Sequence, residues 1–280
     1  MQSTLILVHT PTFINIKPNN KSGFSLVELS IVLVIIGMLV GGVLVGQDMI
    51  RAAETRSIFT DKDRIQTAVN LFQQKYMGLP GDLTNATEFW GNMPYTCSSG
   101  DPPTPPFQNL GGTGTETCNG DGDGKIENAG GNAENMLIWQ HLSNAGLIEG
   151  KYIGHWSGVF GQEGQNMKTK ISNAIWIAID GSNVPYNTPI EMFEGNHGNI
   201  LSIHGVGSNE HDFLTTAEMW GIDKKIDDGL PGSGSVMTAE VNGANCNTIG
   251  LAAFSAIAHL VTYNLTYEQK TCMPVFAHVW

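Results

Sequence analysis

The chain has 280 residues, enough for one or two globular domains with a buried core. Charged residues make up only 14%, against ~25% in an average soluble domain, so Asn, Ser, Thr and Gly must supply much of the surface polarity. Fourteen Lys and Arg against 26 Asp and Glu give a formal net charge of −12 at pH 7. Such a chain repels a phosphate backbone, which argues against general nucleic-acid binding.

The N-terminal region combines a basic leader with a long apolar run. Residues 1–23 contain two lysines and no acidic residue. From Leu26 to Gly46 the sequence is apolar except for Glu28 and Ser30. A helix over this run is ~32 Å long at ~1.5 Å per residue, close to the ~30 Å hydrocarbon core of a bilayer. The run predicts a single membrane span, and the positive-inside rule places the N-terminus in the cytoplasm.

The order of these features differs from that of an ordinary secretory signal. Such a signal carries its small-residue cleavage site after the apolar stretch. Here Ser22 and Gly23 precede the stretch, and nothing like Ala-x-Ala follows it before Gln47. Cleavage after Gly23 would therefore leave the apolar helix on the mature protein.

The segment Lys21 to Leu29, KSGFSLVEL, resembles the processing site of type IV prepilins and type II secretion pseudopilins. In that family a membrane peptidase cuts after the glycine and methylates the new terminal amine, so the resemblance assigns processing to Gly23 and Phe24. The family's glutamate at position five of the mature chain corresponds to Glu28. The resemblance implies a structural subunit of a type IV pilus or pseudopilus filament.

Partners and location follow from the same resemblance. It implies a prepilin peptidase/N-methyltransferase, other pilin-like subunits and an inner-membrane assembly platform, with an assembly ATPase acting indirectly. It also implies a single-pass inner-membrane protein whose head is periplasmic or displayed on a cell-surface filament. The sequence indicates no cofactor that the chain requires.

Glu28 has two interpretations within the predicted span. A charged side chain at the centre of a bilayer costs roughly 2.5–3.5 kcal/mol on insertion scales, so an acid in a span is a functional-site hypothesis. In one interpretation the helix N-terminus makes an interfacial glutamate tolerable. In the other, the terminal amine of Phe24 on a neighbouring subunit neutralises Glu28 and fixes the axial register of one helix against the next.

The predicted fold class is α+β, with a long N-terminal helix packed on a small antiparallel-sheet head that carries loop insertions. The helix is expected over residues 24–77, with the transmembrane part at 26–46 and the head at 78–280. Beyond the span, apolar residues recur at helical spacing, which predicts a helix that buries one face. These residues are Ile58, Ile65, Val69, Phe72 and Tyr76.

End signals and periodicity predict the elements of the head. Asp82 is the expected N-cap of a short helix that ends near Trp90, and a Pro- and Gly-rich loop follows over residues 91–131. Further helices are predicted over Asn132–Gly146 and from the capping box Thr215-x-x-Glu218 to about Ile226. Strands are predicted over Ile171–Ile179, Ile200–Ile203 and Val236–Val241, whereas Ala252–Tyr263 is ambiguous.

Four cysteines lie beyond the span and therefore, on the predicted orientation, in an oxidising compartment. They are Cys97, Cys118, Cys246 and Cys272. Four cysteines allow three pairings. Cys97 with Cys118 and Cys246 with Cys272 close two short loops and are the expected disulfides, each contributing roughly 3 kcal/mol. Neither pair has the short spacing of a zinc site.

The segment 119–126, NGDGDGKI, carries oxygen-bearing side chains at alternate positions and a glycine at the sixth. This pattern is typical of the first half of an EF-hand-like loop, because Ca²⁺ needs several oxygens from a sharply turning chain. The twelfth position is Gly130 and not glutamate, so Glu127 or Glu134 would have to complete the shell. One prediction is a calcium site, and the alternative is a solvated turn. The predicted ligands are Asn119, Asp121, Asp123 and Glu127.

No pattern in the chain predicts catalysis, so we expect no enzyme activity. Residues 154–158, GHWSG, are not the G-x-S-x-G nucleophile elbow, and no HExxH or P-loop occurs. The alternative to a filament subunit is a membrane-anchored extracytoplasmic adhesin or carbohydrate-binding module. Four tryptophans of the head are expected in the core or at its rim, and not as a carbohydrate platform. They are Trp139, Trp156, Trp176 and Trp220.

Overall fold

The structure, a computed structural model, divides into two compact units between Ile50 and Arg51. Its helices and antiparallel sheet confirm the α+β class. The residues that it describes are 23, 25–93, 114–127, 134–155, 164–171, 174–181, 190–191, 196–206, 214–241, 245–248 and 261–280.

Helix α1 spans Leu26–Tyr76 and begins with the expected apolar run. The large side chains of this run are exposed, for example Leu26 at 85% and Met38 at 74%. Within the described residues α1 is the one helix long and apolar enough to cross a membrane. Such a surface is suited to lipid or to other apolar helices.

The second-unit part of α1 buries the apolar stripe that the sequence predicts. Tyr76 is partly buried against the same core, and the helix ends where Met77 adopts a positive φ of 59°. Full burial of one large apolar side chain contributes about 1.5–3 kcal/mol, so this face anchors the helix in the head. The fully buried members, each at most 1% exposed, are Ile58, Ile65, Val69 and Phe72.

Among the described residues of the second unit, six antiparallel strands form a sheet in the order β1-β3-β6-β5-β2, with β4 also paired to β6. Strand β5 has the predicted bounds. Strands β1 and β3 are buried along their whole length. The nearly continuous apolar run of β1 is typical of such a strand. The strands are β1 Ala174–Asp180, β2 Ile190–Glu191, β3 Asn199–Gly205, β4 Leu214–Thr215, β5 Val236–Val241 and β6 Lys270–Phe276.

The described part of the head also contains three shorter helices, α2 Ala86–Trp90, α3 Glu134–Asn144 and α4 Thr216–Ile226. The predicted capping box opens α4. The Glu218 amide donates to the Thr215 hydroxyl at 3.3 Å, and the Thr215 amide donates to the Glu218 carboxylate at 2.8 Å. Two otherwise unpaired donors of the helix end are thereby satisfied.

Arg51 ties the second-unit part of α1 to the start of α4. Its guanidinium donates to Glu218 through Nε at 2.5 Å and Nη2 at 2.9 Å, and Nη1 donates to Glu54 at 3.1 Å. Bidentate arginine–carboxylate pairs are the strong and geometrically specific class of ion pair. The pair therefore fixes the helix against the capped end of α4.

A disulfide joins Cys246 to Cys272 on β6, as expected. Both residues are fully buried. Cys118 is also disulfide-bonded, whereas its expected partner Cys97 lies outside the described residues. The Cys97–Cys118 pairing therefore stays a prediction.

Candidate functional site

The predicted processing site lies at the start of the described chain. Gly23 is exposed, and no atom of the other described residues lies within 4 Å of where its Cβ would stand. Phe24 lies outside the described residues. An exposed backbone at Gly23 is what a peptidase needs in order to bind the bond that it cuts.

Glu28 closes the N-terminus of its own helix. The Ser25 amide donates to Glu28 Oε2 at 2.8 Å, and the Glu28 amide donates to the Ser25 hydroxyl at 3.2 Å. This is a reciprocal capping box, and the Ser25-x-x-Glu28 spacing is a signal from which it could have been predicted. Among the described residues no cation pairs with Glu28. The cap uses one carboxylate oxygen as an acceptor and leaves the charge uncompensated.

The Gly-rich segment 119–127 forms a loop bound to α3 and to the turn before α2. Asp82 is not the N-cap of α2, which is Asn85. The Asp82 carboxylate instead accepts hydrogen bonds from the amides of Gly122 at 2.5 Å and Gly124 at 2.8 Å. The predicted N-cap is wrong because Asp82 binds amides that lie 40 and 42 residues further along the chain, and a local capping rule does not include such distant partners.

Glu134 binds the same loop from α3. Its two carboxylate oxygens accept from the amides of Asp121 at 3.2 Å and Glu127 at 3.0 Å, and the residue is fully buried. Burial, with the nearby carboxylates of Asp82 and Asp121, raises the pKa of Glu134 to about 7, against the lowering effect of the two amides. One oxygen from each of Asp82, Asp121 and Glu134 lies within 4.8 Å of the others.

The carboxylate cluster Asp82, Asp121 and Glu134 differs from the predicted ligand set. It shares Asp121 with that set and also contains Glu134, which the sequence offers as the alternative to Glu127. Asn119 accepts instead from the amide of Thr87 in α2 at 2.8 Å. The Asp123 carboxylate accepts from the Lys125 amide at 2.8 Å. Glu127 contributes its backbone amide, which donates to Glu134. Calcium binding stays a prediction.

Calcium binding at the cluster predicts a rise in thermal stability. A ligand at 100 times its Kd stabilises a protein by about 2.7 kcal/mol. We expect added calcium chloride to raise the Tm of the full chain, and Asp121→Asn to remove most of that rise. Asp63→Asn, which changes an exposed acid elsewhere, is the control. If calcium leaves the Tm unchanged, the segment is a solvated turn and not a calcium site.

Comparison with known proteins identifies the N-terminal segment. Residues 18–44 match the family model described as the prokaryotic N-terminal methylation motif, which is the signature of type IV pilins and pseudopilins. The match includes Gly23, Phe24, Glu28 and the start of α1. The chain therefore carries a pilin-like N-terminus on an α+β head. No curated protein and no solved structure matches the chain.

Proposed function

We propose that the chain is a structural subunit of a type IV pilus or pseudopilus filament. The observation that carries the proposal is the methylation motif at residues 18–44, followed at once by an apolar helix with exposed side chains. In this proposal the leader is removed after Gly23, the amine of Phe24 is methylated, and the apolar helices of many subunits pack together.

The proposal defines the partners and the location of the subunit. A prepilin peptidase/N-methyltransferase processes it, other pilin-like subunits surround its helix, and an inner-membrane platform assembles it. Before assembly the apolar part of α1 spans the inner membrane with its N-terminus in the cytoplasm. The head then lies in the periplasm or on the filament outside the cell, where disulfides persist.

The second candidate is an anchored adhesin or carbohydrate-binding module that uses the head alone. Trp139 and Trp176 are fully buried, so these two residues are core and do not offer a sugar-binding face. Trp220 is partly buried, with the Lys224 ammonium 4.5 Å from its ring centroid, and Trp156 lies outside the described residues. The observation that favours this candidate is a cavity on the head that Arg64, Lys151, Lys168 and Lys170 line.

Mechanical shearing of cells separates the two functions. A filament subunit is expected in the sheared fraction, and an antibody against the head should decorate filaments in electron micrographs. A monomeric anchored module would stay with the membrane after shearing. Retention in the membrane of cells that assemble their other pilins normally would contradict the filament proposal.

A further inference from the structure

A surface cavity of about 350 Å³ opens on the head between α1, the turn after α3 and the segment before β1. Its size is at the lower end of the ~300–1,000 Å³ typical of small-molecule sites. The walls are held by backbone hydrogen bonds, from the Ile153 amide to the Gly164 carbonyl at 2.7 Å and from the Trp176 amide to the Met167 carbonyl at 2.7 Å. The cavity is therefore built on the sheet and on α1.

The charge of the cavity is opposite to that of the chain. Four of its 14 Lys and Arg line this one cavity, against two carboxylates, whereas the chain as a whole carries −12. Burial raises the pKa of the Asp61 carboxyl, and the nearby charges of Lys170 and Arg64 partly oppose that rise. The four cations are Arg64, Lys151, Lys168 and Lys170, and the two acids are Asp61 and Glu149.

Two nearly buried acceptors line the same cavity. Asn166 is 3% exposed, and its amide nitrogen donates to the Trp176 carbonyl at 3.2 Å, while its Oδ1 has no hydrogen-bond partner. Asp61 is 4% exposed and forms no hydrogen bond among the described residues. A buried acceptor without a donor is costly, so a ligand that supplies donors would be bound at these two positions.

We propose that this cavity binds a small hydroxylated carboxylate of the hexuronate class. The carboxylate of the ligand would lie among the cations, including Arg64 and Lys170, and its hydroxyls would donate to Asn166 Oδ1 and Asp61. A net positive lining favours a net anion over a zwitterion, whose ammonium would meet the cations. A neutral sugar would gain nothing from the net positive lining, and a simple anion would leave the two acceptors without donors.

The test measures binding of three probes to the full chain in detergent micelles by isothermal titration calorimetry. Sodium D-galacturonate carries both features, D-galactose has only the hydroxyls, and acetate has only the charge. We expect binding of galacturonate alone, weakened by high salt because exposed charges are screened. Digalacturonate distinguishes two sources of the ligand. If the cavity binds the end of an acidic polysaccharide, digalacturonate should bind more tightly than galacturonate, whereas a site for the free acid should gain no affinity from the second sugar.

Variants locate the binding site. The double variant Arg64→Gln/Lys170→Gln is expected to weaken galacturonate about tenfold or more, because two charge-assisted contacts are lost. Lys62→Gln removes one positive charge from the same helix outside the cavity and should leave the affinity unchanged. Equal binding of acetate or galactose, or no binding of galacturonate, would overturn the proposal. The proposal would also be overturned if the Arg64→Gln/Lys170→Gln variant bound galacturonate normally but failed to assemble, because the cavity would then be a contact between subunits.

Discussion

Replacing Glu28 by leucine is expected to abolish filament assembly while membrane insertion and cleavage continue. Leucine costs less than glutamate in lipid, and the change leaves Gly23 and Phe24 in place. In an assembled filament the variant would leave the methylated amine of a neighbour without its carboxylate. Removing one partner of a buried ion pair costs about 3–5 kcal/mol. That loss corresponds to more than about 100-fold in an association constant.

Glu28→Gln separates the capping role that the structure shows from the charge pairing that the sequence predicts. Glutamine keeps the carbonyl oxygen that can accept from the Ser25 amide, so the capping box survives, but the charge is lost. If charge pairing drives assembly, the glutamine variant fails as the leucine variant does. The readouts are the fraction of subunit in sheared filaments and the N-terminal mass. Normal filament yield from Glu28→Gln would show that Glu28 acts only as a helix cap.

His141 is expected to make the head sensitive to acid. It is fully buried on α3, where Nδ1 accepts from the Gly81 amide at 2.9 Å and Nε2 lies 2.9 Å from the Thr117 hydroxyl. Its ring stacks on Phe72 of α1, with centroids 6.2 Å apart. A proton on Nδ1 would face the N–H of Gly81, so the folded protein holds the neutral ring. Burial accordingly lowers the pKa of His141 to about 4.

The direction of the pH effect follows from this lowered pKa. Unfolding releases His141 to its usual pKa of 6.5, so the unfolded state binds the proton first as pH falls. The contribution of the neutral histidine is complete above about pH 6.5 and is lost progressively toward pH 4. A difference of about 2.5 pKa units amounts to roughly 3 kcal/mol of unfolding free energy. Denaturant unfolding of the full chain at pH 7 and pH 4 measures the loss.

The measurement requires a reference, because buried carboxyls titrate in the opposite sense. Burial raises the pKa of Glu134 to about 7 and that of Asp223 to about 6, so their contributions decline as pH rises. Both carboxyls are present in His141→Gln, so subtracting its curve from that of the native chain isolates the histidine. His278→Gln, which removes an exposed histidine, is the control. A native-minus-variant difference that is constant from pH 7 to pH 4 would contradict the assignment.

Local signals predicted the fold wherever neighbouring residues determine the structure. The Thr215-x-x-Glu218 box opens α4, and the apolar stripe from Ile58 to Phe72 is buried. Strand β6 was missed because Pro274 interrupts its pattern, and proline is unusual inside a sheet. The structure accommodates it opposite Thr238, whose own amide donates to the Pro231 carbonyl at 2.9 Å.

The candidate sites also differ in whether their residues are neighbours in the sequence. Gly23, Phe24 and Glu28 lie within six residues and form a local motif that the sequence displays. The carboxylate cluster adds Asp82 to Asp121 and Glu134, and no spacing rule connects Asp82 with residues so far along the chain. The need for glycine at position 120 also arises from a contact distant in the sequence, because a Cβ there would clash with the Asp82 Cα. The charged cavity likewise depends on segments that only the tertiary fold brings together.

The most direct test of the account is the N-terminus of the mature protein. Intact-mass and N-terminal peptide analysis of native protein from sheared filaments or membranes should find a chain that begins at Phe24 with a methylated amine. The Gly23→Leu variant should instead retain residues 1–23. Native protein that still begins at Met1, or whose first residue lies beyond Gly46, would contradict the claim that this helix is processed and then kept for assembly.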